Sequence, residues 1–275
     1  MMSQREKQLA YSDIQPEMSR AESRVRKAAK ICAVLDHFMG PDWADGAVFL
    51  DIGASLGWTV EAAARRGATA IGMDIDEPGL AVAKADRDPR CIFASGDGEN
   101  LPFPDDSVDV VVLNHIYEHV VDADAVVAEI HRVLSPTGVA YFGLGNRLGI
   151  MEPHHHLPFL SWLPYPMADR YVRALRDADG YYERFRTRGG LEKMTRAFYV
   201  TDYTFSVLAD PEMFSATDVS PGLIAKAVRH TPPVARRALQ TLIPTFLWVA
   251  AKTPRTPAGP ALSIPPTLVH PVGKA

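Results

Sequence analysis

Carboxylates and glycines with regular spacing stand at the ends of two consecutive apolar runs. Asp51, Gly53 and Gly57 lie at the end of the first run, and Asp74 closes the second. The glycines lack a Cβ, so the chain can turn sharply and a ligand can approach the backbone. An acidic residue about 20 residues beyond such a turn can accept hydrogen bonds from a ribose diol. The pattern therefore predicts a nucleoside-binding half-sheet.

The acidic residue before the first glycine indicates the charge of the ligand. The dinucleotide fingerprint G-x-G-x-x-G uses its central glycine to bring the backbone against a pyrophosphate. Here Ser55 occupies the position of that glycine, and Asp51 precedes Gly53. A carboxylate at this point repels phosphate and suits a cationic ligand that carries an ammonium group. The turn favours such a ligand over a dinucleotide.

Two further motifs follow, each beside another apolar run. They are Ser95-Gly-Asp97-Gly-Glu-Asn-Leu-Pro-Phe-Pro-Asp-Asp-Ser-Val-Asp109 and Asn114-His-Ile-Tyr-Glu-His-Val120. An ionised carboxylate such as that of Asp97 only accepts hydrogen bonds, so it fits an exocyclic amino group and not a ring nitrogen.

In this order, the motifs resemble those of class I S-adenosylmethionine-dependent methyltransferases, of the type 11, quinone-biosynthesis-like group. The glycine turn is similar to D/E-x-G-x-G-x-G, the Asp97 run to G-D-A-E-x-L-P-F-x-D-x-S-F-D, and the six residues His115 to Val120 to x-x-L-E-H-V. The segment Leu134-Ser-Pro-Thr-Gly138 is similar to the family turn L-x-P-G-G. The resemblance covers residues 47 to 145 and continues more weakly to residue 252.

The resemblance implies an α/β fold with a doubly wound, seven-stranded Rossmann-like sheet, strand order 3-2-1-4-5-7-6, and helices on both faces. The last two strands would be an antiparallel pair, Phe198–Leu208 and Phe246–Lys252. We expect a single methyltransferase domain over residues 1–252. It divides into a cofactor-binding half (47–145), an insertion that serves as acceptor lid (146–195) and C-terminal strands (196–252). A proline-rich tail follows (253–275).

The implied cofactor is S-adenosyl-L-methionine. Ligands of open α/β sheets bind at the carboxyl ends of the strands where strand order reverses, which brings most of the expected contacts together. By the resemblance, Asp51 would hold the methionine portion, Asp74 the ribose hydroxyls and Asp97 the adenine amine. A helix N-cap is the alternative role for Asp74, although Asp76 suits that role better. The expected cofactor-binding residues are Asp51, Gly53, Ala54, Gly57, Asp74, Ile75, Asp97, Gly98 and Asn114.

Histidines are the candidate catalytic residues, because an oxygen acceptor with a high pKa needs a base near neutral pH. His115 follows the fourth strand, and His154, His155 and His156 open the insertion. For these last three, an acceptor-site base, a structural lid turn and metal ligation with Glu152 are all open. No two of them are spaced i,i+4 and neighbours point in different directions, so we expect no metal.

The insertion also contains an apolar stretch, with Phe159, Trp162 and Tyr165 among its members, and a basic amphipathic helix over 167–176. The stretch fits either the packing of the insertion itself or recognition of an apolar or membrane-derived acceptor. The helix fits an anionic substrate, a membrane surface or an ordinary solvated face.

Composition excludes some classes. A net charge of −4 and a pI near 6.1 give no basic field for nucleic acid. Cys32 and Cys91 have no metal-ligand spacing and are expected in the core. No signal peptide and no transmembrane segment is expected, so a cytoplasmic location is the default. Neither the composition nor the motifs indicate an oligomeric state.

These observations predict a methyltransferase that acts most readily on oxygen of a small metabolite, lipid, quinone-like or sugar acceptor, with nitrogen and carbon left open. Two alternatives are kept. One is an NAD(P)-dependent Rossmann oxidoreductase, which the missing central glycine and the Asp97 motif argue against. The other is a non-catalytic member that binds the cofactor or a partner.

Overall fold

A mostly parallel β-sheet lies at the centre of the computed structural model, which describes Leu9, residues 21–176, Ala178 and residues 180–269. Its strands in the described residues run in the order β3-β2-β1-β4-β5-β7-β6-β8. The predicted order 3-2-1-4-5-7-6 is confirmed, and one short strand is added at the edge. The strands are β1 Val48–Ile52, β2 Thr69–Asp74, β3 Ile92–Ser95, β4 Val108–Asn114, β5 Leu134–Gly145, β6 Tyr199–Asp202, β7 Thr245–Ala251 and β8 Thr267–Leu268.

Helices cover both faces of the sheet, as predicted. Alternate strand residues face opposite sides, so Phe49 packs in one core and Leu50 in the other. The helices are α1 Ala21–Met39, α2 Trp58–Ala64, α3 Glu77–Asp86, α4 Ala123–Val133, α5 Tyr165–Leu175, α6 Arg188–Met194, α7 Thr204–Ala209, α8 Gly222–His230 and α9 Pro233–Leu239. Helices α1 and α2 contribute to the Phe49 core, and α4 and α6 to the Leu50 core.

The register of the parallel strands brings their carboxyl ends to one edge. Asp51 of β1 is paired with Gly72 of β2 on one side and with Val112 of β4 on the other. Asn114, the last residue of β4, is paired with Gly143 of β5. The polar residues that follow β1, β2 and β4 therefore emerge beside one another.

Two predicted boundaries are wrong. The predicted strand over 198–208 ends at Asp202, because its carboxylate accepts the amide of Thr204 at 2.9 Å and the chain turns into α7. The predicted turn at 134–138 lies inside β5. Leu134 pairs with Val108, and a register shift between Val108 and Val110 accommodates the extra residues.

Residues 146–195 include a 3-10 turn, Leu160–Trp162, and the helices α5 and α6. The insertion has a small apolar cluster of its own that includes Leu157, Leu160, Ala168 and Val172.

The tail packs against α1 before it reaches the sheet. The amides of Ala258 and Gly259 donate to the carbonyls of Phe38 and His37, and β8 pairs with β6. Residues 1–8, 10–20 and 270–275 of the predicted lead-in and tail lie outside the described residues. The domain boundaries themselves stay a prediction.

Candidate active site

A cavity of about 340 Å³ opens at the carboxyl edge of β1, β2 and β4. Helix α1 borders it, and the insertion contributes Pro153, His154 and His156 to its lining. Of the nine residues predicted to bind the cofactor, eight line this cavity, namely Asp51, Gly53, Ala54, Asp74, Ile75, Asp97, Gly98 and Asn114.

The glycine turn after β1 requires glycine at its first position. Gly53 has φ of 76°, and a Cβ there would lie 2.2 Å from the Ile116 side chain. Its amide donates to the carbonyl of Met73 at 2.8 Å. Ser55, which stands in place of the central glycine of the motif, itself takes a left-handed φ of 47°, and its amide donates to Asp74 Oδ2 at 2.8 Å. The turn and the end of β2 are thereby joined.

Gly57 is the predicted cofactor-binding residue that does not line the cavity. It is the N-cap of α2 with φ of 74°, and a Cβ there would lie 2.5 Å from Phe93. Glycine is therefore required at this position to start α2 and to let the backbone pack against β3. Asp76 caps α3 through the amide of Gly79, which confirms the predicted cap.

The carboxyls of Asp51, which is buried, and Asp74, which is half-buried, are neighbours at the cavity wall. Burial and the nearby Asp74 charge raise the pKa of Asp51, whereas a hydrogen bond from Thr59 lowers it. The net result is a pKa of about 8. Burial also raises the pKa of Asp74, against hydrogen bonds from the amides of Asp76 and Ser55. A cationic group in the cavity would favour the ionised form of Asp51.

His115 is held in an unusual backbone conformation next to a buried carboxylate. Its φ is 57°, and its amide donates to the carbonyl of Gly143. Its Nδ1 lies 3.0 Å from Glu118 Oε1, and its Nε2 lies 3.5 Å from Thr245 Oγ1. Burial lowers the pKa of His115 even though the Glu118 hydrogen bond raises it, so the imidazole is neutral at pH 7.

His154, a residue of the insertion, forms a cluster with His115, Glu118 and His119. Its Nδ1 lies 2.9 Å from Glu152 Oε1, and its Nε2 lies 3.0 Å from His119 Nε2. Burial lowers the pKa of His154, but the Glu152 hydrogen bond and the Glu183 and Glu118 charges raise it to about 9. Burial and the His154 charge lower the pKa of His119 to about 4. At pH 7 a charged His154 therefore donates to a neutral His119.

The remaining two candidate histidines differ in position. His156 lines the cavity. His155 does not; it is buried, and its Nε2 lies 3.4 Å from Glu183 Oε2. The structure thus brings three of the four candidate catalytic histidines to the cavity and turns the fourth away.

Sequence reasoning missed three residues at the site. Glu118 carries a signal in the sequence, because it lies three residues after His115. Lys27 and Arg24 of α1 also line the cavity, and only the tertiary structure reveals this. Burial and the nearby Arg24 and Lys30 charges lower the pKa of Lys27 to about 8.

One group of metal-capable side chains occurs among the described residues. Donor atoms of His115, Glu118 and His154 lie within 4.8 Å of one another. Glu152, the carboxylate first considered as a ligand, instead accepts hydrogen bonds from the amides of His154 and His155 and binds His154 Nδ1. The expectation of no metal stays a prediction.

Comparison with known proteins assigns the cofactor half. Residues 50–142 match the family described as Methyltransferase domain. This span contains β1 to most of β5, together with the glycine turn and His115. Residues 50–142 therefore form a methyltransferase domain of the class I, S-adenosylmethionine-dependent type. Domains of this class use S-adenosyl-L-methionine as their methyl donor, and the buried Asp51 carboxyl fits the ammonium group of that ligand.

Two curated relatives resemble the methyltransferase domain. A probable S-adenosylmethionine-dependent methyltransferase of Mycolicibacterium smegmatis is 38% identical over 99 residues, which is 36% of this chain and 38% of the relative. A ubiquinone biosynthesis O-methyltransferase of Pseudomonas entomophila is 36% identical over 109 residues, which is 37% of this chain and 46% of the relative. The chain therefore spans less than half the length of these two relatives.

Solved structures agree on the fold. A methyltransferase from Thermotoga maritima covers 86% of this chain and 95% of its own, with a TM-score of 0.51 and 17% identity. One from Mesorhizobium loti covers 75% and 91%, with a TM-score of 0.50 and 19% identity. At such identities the likeness concerns the fold of the methyltransferase domain and nothing finer.

Proposed function

We propose that the whole chain is an S-adenosylmethionine-dependent methyltransferase that methylates an oxygen atom of a small acceptor. The observation that carries this proposal is the neutral His115 on the cavity wall with Glu118 at its Nδ1. A base in contact with the space where donor and acceptor meet is what an oxygen acceptor of high pKa requires.

The cofactor supplies an electrophilic methyl group on a sulfonium. Asp51 and the turn at Gly53 would hold the donor, so that the acceptor would only have to be aligned with the methyl group. His115 donates a hydrogen bond from Nδ1–H to Glu118, so that Nε2 carries the lone pair that accepts the hydroxyl proton of the acceptor, in place of its 3.5 Å contact with Thr245 Oγ1. Glu118 then stabilises the imidazolium. Burial raises the pKa of Glu118, but the hydrogen bond and charge of His115 lower it overall, so the carboxylate is ionised at pH 7.

The acceptor class rests on the surroundings of the cavity. Ile150, Met151, Phe159 and Trp162 are exposed apolar residues of the insertion, and in the sequence they flank the cavity-lining residues Pro153, His154 and His156. They favour an apolar acceptor such as a lipid or a quinone-like ring over a sugar. The ubiquinone O-methyltransferase named among the relatives supports the same direction without identifying the acceptor.

The comparisons bear on one of the two alternatives, the oxidoreductase, and not on the other, the non-catalytic member. The match of residues 50–142 to a methyltransferase domain does not favour an NAD(P)-dependent oxidoreductase. A non-catalytic member that binds the cofactor remains the alternative that a turnover assay must test. The His115–Glu118 pair argues for catalysis, because a binding protein has no need of a neutral histidine oriented by a buried carboxylate.

The test is a screen of candidate hydroxylated acceptors with methyl-labelled donor, followed by kinetics on His115→Ala. We expect an O-methylated product, a fall in kcat of about 10²-fold or more in the variant, and unchanged affinity for S-adenosylhomocysteine. His131→Ala, which removes a half-buried histidine of α4 that packs on Phe198, is the matched control. An N- or C-methylated product, or full activity in His115→Ala, would contradict the proposal.

A further inference from the structure

Two consecutive short helices between β6 and β7 bury almost none of their side chains. In α8 only Ala225 is buried, and α9 has no buried residue. Leu223 is 85% exposed and Val234 is 83% exposed, and Ile224 and Leu239 are also exposed. Amphipathic helices gain most of their stability from packing an apolar face, so helices that leave theirs in water indicate a surface that something else covers. We call residues 219–244 the hairpin.

The hairpin is basic within an acidic protein. It contains Lys226, Arg229, Arg236 and Arg237 and no acidic residue, whereas the whole chain has a net charge of −4. Arg229 is used internally, because it donates to the Ala209 carbonyl and to Asp210. The other three have no ion pair with any residue in the described part of the chain. Their charges are available to an external anionic partner.

The hairpin leads directly to an exposed apolar rim on the insertion. The rim consists of Ile150, Met151, Phe159 and Trp162, all exposed. The amide of Ile150 donates to the Leu242 carbonyl, and the Asn146 side chain donates to the Thr241 carbonyl at 2.9 Å. The rim flanks the stretch of the insertion that contributes Pro153, His154 and His156 to the cavity.

The rim contains two exposed aromatic rings, those of Phe159 and Trp162, whose position suits the boundary between water and an apolar phase. Phe159 and Trp162 contact each other edge to face with ring centroids 5.1 Å apart. The Trp162 Nε1 donates to the Gly149 carbonyl at 3.0 Å, which anchors the indole to the insertion. Aromatic side chains in such positions are typical of residues that sit at the headgroup level of a bilayer.

We propose that the hairpin and the rim together dock on the surface of an anionic lipid bilayer. Apolar residues would enter the headgroup region while Lys226, Arg236 and Arg237 meet the lipid phosphates. Contact between two copies through this same surface is disfavoured, because a two-fold interface would set the basic residues of one copy against those of the other. None of the described helices is both long and apolar enough to cross a bilayer.

Docking through the hairpin and the rim would bring the adjoining cavity-lining residues Pro153, His154 and His156 towards the bilayer. An acceptor dissolved in the membrane could then reach His115 without crossing water. The docking itself does not depend on the methyl-transfer proposal, because it is measured with lipid alone.

The test is co-sedimentation of the full chain with vesicles of phosphatidylcholine, with or without about one third phosphatidylglycerol. We expect binding to the anionic vesicles to be at least about tenfold stronger than to the neutral ones, and to weaken as salt rises. The double variant Leu223→Asn/Val234→Asn should lose about fivefold or more of that binding, and Arg236→Gln/Arg237→Gln should lose the preference for anionic lipid.

Val82→Asn is the matched control, because it removes an exposed apolar residue on α3, outside the hairpin and rim. Affinity for S-adenosylhomocysteine reports that each variant is folded. Equal binding to both vesicle types, no binding, or equal loss in Val82→Asn would overturn the proposal. So would wild-type dimerisation in gel filtration that Leu223→Asn/Val234→Asn abolishes, since the surface would then bind a second copy.

Discussion

Binding of the cofactor should release a proton from Asp51. The pKa of this carboxyl is about 8 in the ligand-free cavity, chiefly because it is buried and then because Asp74 is near. The carboxyl is therefore mostly protonated at pH 7. An ammonium group beside it favours the ionised form, so ligand binding must remove the proton first. Binding should accordingly become stronger as the pH rises towards 8 and weaker as it falls.

The magnitude follows from the pKa. Below the ligand-free pKa, each pH unit should cost about 1.4 kcal/mol, which is a tenfold loss of affinity for S-adenosylhomocysteine. Between about pH 7.5 and about pH 5.5 the dissociation constant should rise by roughly 50- to 100-fold. The α-amine of the ligand remains protonated over this range, so its own titration does not produce the slope.

Isothermal titration calorimetry in two buffers of different ionisation enthalpy measures both the affinity and the number of protons released. Asp51→Asn is the matched variant, since it keeps the shape and cannot ionise. Its affinity should be about 10- to 100-fold lower than that of the wild type near pH 8, with a much flatter pH dependence. An equal slope in wild type and Asp51→Asn would refute the assignment of Asp51 to the ammonium group.

Three further outcomes are expected. Asp74→Ala should weaken S-adenosylhomocysteine binding by about 1.5–3 kcal/mol in calorimetry, through loss of charge-assisted bonds to the ribose, and unchanged affinity would leave Asp74 as a support of the Ser55 turn only. Glu118→Gln should lower kcat by about tenfold or more with little change in cofactor affinity, because His115 loses the charge that orients it and stabilises its protonated form; wild-type kcat would remove Glu118 from the mechanism. A chelator should leave turnover unchanged, whereas lost activity restored by a divalent cation would assign a metal to His115, Glu118 and His154.

The sheet could be predicted because local pattern and burial agree there. Continuous apolar strands such as β1 and β4 end in polar residues, and parallel strands carry those residues to one edge. The additional strand β8 could not be predicted, since Thr267 and Leu268 are exposed and show no periodicity. The error at 198–208 has a local cause, because the Asp202 side chain starts α7 within a run that is otherwise apolar enough to continue as a strand.

Two histidines of the cluster, His115 and His154, were predictable from the sequence, but the arrangement of the cluster was not. His119 and His154 are 35 residues apart, and their contact depends on how the insertion folds back over the sheet. His155 is adjacent to His154 yet is turned to Glu183, a pairing that sequence spacing does not encode. Side chains from distant segments meet through tertiary packing, so their distances and pKa values follow only from the structure.

A thermal-shift measurement with S-adenosylhomocysteine, NADH and NADPH distinguishes a methyltransferase from a nicotinamide-dependent oxidoreductase. At about 100 times its dissociation constant a ligand stabilises the folded state by about 2.7 kcal/mol, which corresponds to a rise in Tm of roughly 5 °C or more for a chain of this size. We expect such a rise with S-adenosylhomocysteine and none with either nicotinamide cofactor. Stabilisation by NADH or NADPH, with no effect of S-adenosylhomocysteine, would contradict this expectation.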